Sequence, residues 1–295
     1  MSHKLRIKQS AAVLLALCLT ACGGGKTSET AGDSAATDST VVVAADTTAQ
    51  SADKAAEFLR SLPSPFHVAN IFKRSGLKYI DGITNPADLA GKYQSVNSQA
   101  LNLGVYSADL AYSTLNNQSQ RSMTYFKAVR TLGDKLQMSS IFEQSNLLNR
   151  FEKNIGKPDS LLMLMGELHM ESDILLKAQD RHDVVFLSFA GAWVESLYIA
   201  THLTKSGGDP KTLSRIQERV LDQSNALGTL IKLLGDYQQK QEYDSLIKGL
   251  TEVRDAMNEI TALNKPTTDA AYQEKYNKSL YPKIEALRKQ IVSGF

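Results

Sequence analysis

Residues 184–200 read VVFLSFAGAWVESLYIA, apolar on every side of any helix they form, with Glu195 as the one charge. A helix without a polar face has to be buried on all sides. The run is flanked by Arg181, His182, Asp183 and Lys205. Its length approaches the ~20 residues that cross a bilayer. A central charge would cost about 2.5–3.5 kcal/mol on insertion scales, so the run predicts the core helix of a bundle rather than a membrane span. Other helices must then surround it, and Leu161, Leu162, Met163, Leu164 and Met165 are suited to supply one partner.

Start and stop signals for those helices are legible. Asn85-Pro86-Ala87-Asp88 offers an N-cap, a proline at the first helical position and an acid in the first turn. Asp209-Pro210 repeats the device after Ser206-Gly207-Gly208, glycines suited to end a helix, and Lys157-Pro158-Asp159 opens another. The pattern predicts helices over 51–62, 66–75, 87–115, 118–137, 139–155, 159–179, 181–205, 210–238, 241–263 and 268–292. In 210–238 the residues Leu213, Ile216, Val220, Leu227, Leu230, Ile231 and Leu234 form one apolar stripe, as on an outer helix. Asp81-Gly82, between Tyr79-Ile80 and Ile83-Thr84, is the one place suited to a small hairpin. The expected fold is all-α, a single-domain multi-helix bundle over 51–295 with about nine or ten helices.

Two segments resemble each other. GVYSADLAYSTL at 104–115 and GAWVESLYIATHL at 191–203 align at their glycines, matching Gly104 with Gly191, Val105 with Ala192, Tyr106 with Trp193, Leu110 with Leu197 and Thr114 with Thr201. An old duplication into two pseudo-repeated halves and chance between two buried helices both explain the match. Each segment carries one acid among apolar neighbours, Asp109 and Glu195, which must find a partner or take up a proton. One reading is a small-molecule cleft between the two helices, lined by Asp109 and Glu195 with Tyr106, Tyr112, Trp193 and Tyr198 as walls. The other is that each acid caps or salt-bridges a neighbouring helix, through Arg121, Arg130 or Arg181.

Covalent chemistry finds few parts. There is no G-x-x-x-x-G-K-[ST], G-x-G-x-x-G, G-x-S-x-G or H-E-x-x-H, which excludes the mechanisms those motifs carry. The Ser51/Lys54 and Ser75/Lys78 pairs have penicillin-binding spacing but lack the K-T-G and S-D-N partners. Weak metal candidates are His169 with Asp173, four apart on one helix face, and His202, seven from Glu195. Di-iron bundles use inward Glu-x-x-His pairs, a pattern the chain does not contain. The expectation is no metal and no cofactor, with residues 167–173 a solvated acidic face and His202 a capping or core-edge histidine; the alternative is a metal-dependent enzyme or metal carrier built on His169, Asp173, Glu195 and His202.

The first ten residues carry Lys4, Arg6 and Lys8 and no acid, followed by an apolar stretch from Ala11 to Leu19. At about nine residues this is too short to span a membrane, and the charge, length and small residues describe an export signal. Leu19-Thr20-Ala21-Cys22 resembles the lipobox of bacterial lipoproteins. That resemblance implies cleavage before Cys22, a diacylglyceryl anchor on its sulfur and residues 1–21 as the signal. Gly23, rather than Asp, implies the outer membrane, in its periplasmic leaflet. Residues 104–115 are similar to stretches in uncharacterised helical lipoproteins of Bacteroidota, a likeness that brings no activity with it. Residues 22–50, mostly Gly, Ser, Thr, Ala and Asp, read as a disordered tether whose roughly 28 residues would reach roughly 30 Å. Without 1–21 the chain has 30 Lys+Arg against 31 Asp+Glu, with no basic excess for nucleic acid. Cys18 leaves with the signal and Cys22 is the anchor, so the body has no thiol for disulfides or thiolate chemistry. The expected function is a membrane-anchored helical binding or scaffold module, with a protein or small-molecule partner and no covalent chemistry.

Overall fold

The computed structural model describes residues 79–144, 146–236 and 240–294. Cys22, the signal, the tether and the helices expected at 51–62 and 66–75 lie outside them. A turn at Asp81-Gly82 and a 3-10 helix (Ala87–Lys92) lead into α1 (Val96–Leu115), α2 (Ser119–Lys135), α3 (Ser139–Gln144), α4 (Leu147–Lys153), α5 (Pro158–Ala178) and α6 (His182–Lys205). There follow α7 (Pro210–Leu221), α8 (Ser224–Asp236), α9 (Lys240–Ala262), α10 (Ala270–Lys275), a π-helical turn (Tyr276–Leu280) and α11 (Tyr281–Val292). The fold is all-α, a multi-helix bundle with no strand among the described residues. At Asp81-Gly82 the turn forms without strands, because the Ile80 amide donates to the Tyr112 hydroxyl at 2.8 Å rather than to a neighbouring strand.

Local chemistry explains most boundaries. The Asp209 carboxylate accepts from the Thr212 amide with Pro210 in the first turn, and Asp269 caps α10 in the same way. The helix expected over 87–115 is broken at 93–95. Tyr93 is pulled inward, its hydroxyl donating to the Val292 carbonyl, and Ser95 caps α1 by accepting from the Ser98 amide. Asn85 is therefore not the expected cap; its side chain donates to the Tyr93 hydroxyl instead. The expected 139–155 helix breaks at Asn146, which adopts the left-handed conformation. The expected 210–238 helix breaks at Asp222-Gln223 into α7 and α8. Asn117, Gln137 and Asp180 end α1, α2 and α5 at positive φ, each with a six-to-one bond from the next residue: Gln118 to Ser113, Met138 to Gly133, Arg181 to Leu176.

At the centre α1 packs along α6. The start of α6 lies beside the end of α2, where Arg181 donates to the Leu136 carbonyl. α2 folds back on α1, so α1 and α6 run parallel. α11 runs antiparallel beside both. Arg288 reaches Glu195, Tyr281 reaches His202, and the Ile291 carbonyl receives Asn102. The close approach of α1 to α6 rests on two glycines. A Cβ at Gly104 would overlap the Ser188 carbonyl, and one at Gly191 would overlap the Leu101 carbonyl. These contacts are reciprocal in the glycine-anchored alignment, in which Leu101 and Ser188 occupy equivalent positions. α6 is long and apolar enough to cross a membrane, yet most of it is buried against its neighbours, as expected of a core helix.

Candidate functional site

Of the six residues expected to line a cleft, the structure brings Asp109 and Glu195 together with Tyr106 and Tyr198 near them. Asp109 and Glu195 are fully buried. Arg288 of α11 grips Glu195 with two bonds, Nε to Oε2 at 2.8 Å and one terminal nitrogen to Oε1 at 2.9 Å. The same nitrogen donates to the Ile83 carbonyl at 3.4 Å, and the guanidinium stacks 4.2 Å from the Tyr198 ring centroid. Asp109 Oδ2 accepts from the Asn85 amide at 3.1 Å. Its Oδ1 accepts from no donor, and the Glu195 carboxylate lies beside the group. Burial first, and then that like charge, push the Asp109 carboxyl well above its ordinary range. A proton taken up by Asp109 relieves the repulsion between the two carboxyls beside Arg288. For Arg288, burial disfavours the charge and the Glu195 carboxylate outweighs it, so its pKa is raised.

The tyrosines act as clasps around this centre. Tyr106 donates to the Pro86 carbonyl at 2.8 Å, Tyr125 of α2 to the Thr84 hydroxyl at 2.6 Å, and Tyr112 receives the Ile80 amide and stacks on Tyr79. Burial pushes the Tyr112 and Tyr125 phenols up to about 12. All three hold down residues 79–86, the stretch that enters the bundle. Trp193 is buried but, at 100° per residue, lies on the opposite side of α6 from Glu195. The ion-pair partner is none of Arg121, Arg130 and Arg181. Those bind Asp81, Asp134 and the Leu136 carbonyl. Arg288 carried a sequence signal nonetheless: it shares the inward spacing of Ile284, Leu287 and Ile291, a charge within an apolar stripe.

The metal candidates are dispersed. His202 uses both ring nitrogens, Nδ1 with the Tyr198 carbonyl at 3.0 Å and Nε2 with the Tyr281 hydroxyl at 2.9 Å. Asp173 is paired with Lys177 at 2.7 Å, and Glu167 with Arg150 through two bonds of 2.6 Å. Among the described residues no three His, Cys, Asp or Glu side chains converge on a common point.

His169 and Asp173 do share a cavity. It measures about 80 Å³ and lies on the other flank of the α1–α6 pair, against Gly104 and bordered by α2, α3 and α5, partly open to solvent. Leu103, Leu110, Val129, Met138, Phe142, Met165, Leu168 and Phe189 make its walls apolar; His169, Ser172 and Asp173 supply polar groups from the more exposed α5. Small residues at the crossing, Gly104, Ser107, Ser188 and Ala192, leave the space that longer side chains would fill. None of the six residues expected to line a cleft borders this cavity.

No protein-family model matches the chain, and no curated protein or solved structure is significantly similar to it. Fold and site together define a class only: an all-α bundle with a sealed ionic centre on one flank of its central helix pair and an apolar cavity on the other.

Proposed function

We propose that this chain is a lipoprotein of the cell envelope, anchored through Cys22 to the periplasmic leaflet of the outer membrane, whose helical body binds a small apolar molecule in the cavity beside Gly104. The signal-like first 21 residues and the Leu19-Thr20-Ala21-Cys22 box support the anchor. The cavity carries the binding reading. It is bounded by apolar side chains with a few polar groups from one helix, the composition of small-molecule sites, in an otherwise tightly packed core. No covalent step is part of the proposal.

The test is native mass spectrometry on the chain purified from cell envelopes. A mass excess that leaves on organic extraction, and is missing from a Val185→Phe variant of equal melting temperature, is the expected result. Val185 is half-buried on the cavity wall, so a larger ring there fills the space. A bare mass for the native chain overturns the binding reading. Metabolic labelling with an alkyne fatty acid tests the anchor: label must disappear in Cys22→Ser.

A second reading has its own observation. Met163, Met170 and Ile174 are exposed along the outer face of α5, and exposed methionines suit adaptable contacts. That face favours a scaffold that docks a protein partner.

A further inference from the structure

A second, wider recess has the opposite chemistry. It is an open groove of about 620 Å³ between the α7–α8 break and the loop that joins α9 to α10. That volume lies within the ~300–1,000 Å³ of small-molecule sites. Leu221 and Pro266 give it a small apolar shelf, and most of the lining is polar: carboxylates from Glu218 and Asp222, carboxamides from Asn225 and Asn264. Its walls are tied in place. Ser224 at the start of α8 donates to Asn258 of α9, and Thr267 of the loop donates to Ser214 of α7 at 2.6 Å. The carboxamides of Gln217 in α7 and Gln273 in α10 each donate to the other, at 3.4 and 2.9 Å. Asp222 pairs with Arg219 at 3.1 Å and Lys265 with Asp269 at 3.9 Å, which leaves the Glu218 carboxylate as the unbalanced charge of the groove. Among the described residues the exposed side chains of Glu218, Asn225 and Asn264 have no hydrogen bond or ion pair. A ligand must therefore offer donors to Glu218, and both donors and acceptors to the two carboxamides. An apolar molecule would take water from all three and replace none of it. An ammonium ion has no acceptor for the amide N–H groups, and an anion would meet Glu218 as a like charge. Neighbouring hydroxyl groups, each donor and acceptor at once, meet every requirement.

We infer that this groove binds a neutral polyhydroxylated molecule, a sugar or a sugar-like polyol, with Glu218, Asn225 and Asn264 as its hydrogen-bonding groups and its C–H face on Leu221 and Pro266. The site is separate from the apolar cavity and does not depend on it.

The probes are glucose, N-acetylglucosamine and maltose, with glucuronate and butylammonium as charged controls, each titrated against the whole chain by saturation-transfer NMR at pH 7. At least one neutral sugar is expected to bind with millimolar Kd and more tightly than either control. Glu218→Ala is expected to weaken it by about 10-fold, the worth of a hydrogen bond to a charged group. Asn225→Trp, which sets a large ring in the groove, should abolish it. Both residues are exposed and unpaired, so both variants should melt with the native chain, and lost binding will not be lost folding. If none of the three sugars binds, the inference fails. Unchanged sugar affinity in Asn225→Trp places the binding elsewhere and overturns the site; in Glu218→Ala it overturns the role of Glu218. Tighter binding of glucuronate or butylammonium than of every sugar overturns the ligand class.

Discussion

Asp109, Glu195 and Arg288 bring two acids and one base together in a buried centre, where Asp109 is driven towards its protonated form. Removing one partner of a buried ion pair costs about 3–5 kcal/mol, because the other charge stays buried and unmatched. Glu195→Gln is therefore expected to lower unfolding free energy by about 3 kcal/mol or more, whereas Asp109→Asn, which resembles the protonated acid, should be nearly neutral near pH 4 and more stable than the native chain at pH 7. The sign of the pH effect follows from the raised pKa of Asp109. Between the ordinary aspartate value near 3.9 and its native one, the folded state holds a proton that the unfolded state has released. Stability from this group is then present at low pH and declines as pH rises through that interval. Urea titrations from pH 4 to 9 should show a smaller decline in Asp109→Asn than in the native chain; parallel curves would sink the proton uptake by Asp109. That these two acids needed partners was legible from their apolar neighbours. Which partner was not, since Arg288 lies 93 residues from Glu195 and only the chain's return in α11 brings it there.

Helix ends show where local chemistry speaks and where it is silent. Asp209-Pro210 starts a helix through its carboxylate cap and the proline's fixed φ, and Lys157-Pro158 through the fixed φ alone. Asn117, Gln137 and Asp180 end them at positive φ without glycine, and one Gln or Asp among many carries no such mark. The breaks at 93–95 and 222–223 are equally hidden, because helix-forming residues continue through both. Tertiary demand decides them; burying Tyr93 turns the chain away from the helix expected to run through it. The α1–α6 crossing was legible in part, through Gly104 and Gly191 beside small neighbours. Their consequence is measurable. Alanine at either position would press a methyl into a carbonyl of the facing helix, and overpacking of this kind costs about 1–3 kcal/mol. Gly166 in α5 is the control. It is exposed, and an added Cβ meets nothing within 4 Å, so alanine there should stabilise by about 0.5–1 kcal/mol through backbone entropy. Opposite signs at the crossing and at Gly166 in thermal melts are the expected outcome. Stabilisation at all three would mean the helices are free to separate.

Across the whole molecule, the candidate site and the fold's closure occupy opposite flanks of one helix pair. Side chains that composition marked as a cleft hold residues 79–86 in place, and the cavity forms where small residues leave volume unfilled. Sequence reveals residue types but not which side of a helix lacks a neighbour, so the all-α class was legible and the cavity was not. The held segment has a structural task that can be isolated. Asn85 supplies the donor to Asp109, Pro86 the acceptor for Tyr106, Thr84 the acceptor for Tyr125, and Ile83 both a carbonyl for Arg288 and a buried side chain. Deleting 79–93 and rejoining the chain would strip partners from the Asp109 carboxyl and from three phenols, those of Tyr106, Tyr112 and Tyr125. At about 1 kcal/mol for each lost hydrogen bond, and more for apolar area returned to water, the cost is of order 5 kcal/mol. For a body of this size that lowers Tm by about 10 °C or more, with increased binding of a hydrophobic dye. A deletion variant that melts with the native chain would mean the bundle closes without this segment, and that the buried acids find their partners within α1, α6 and α11 alone.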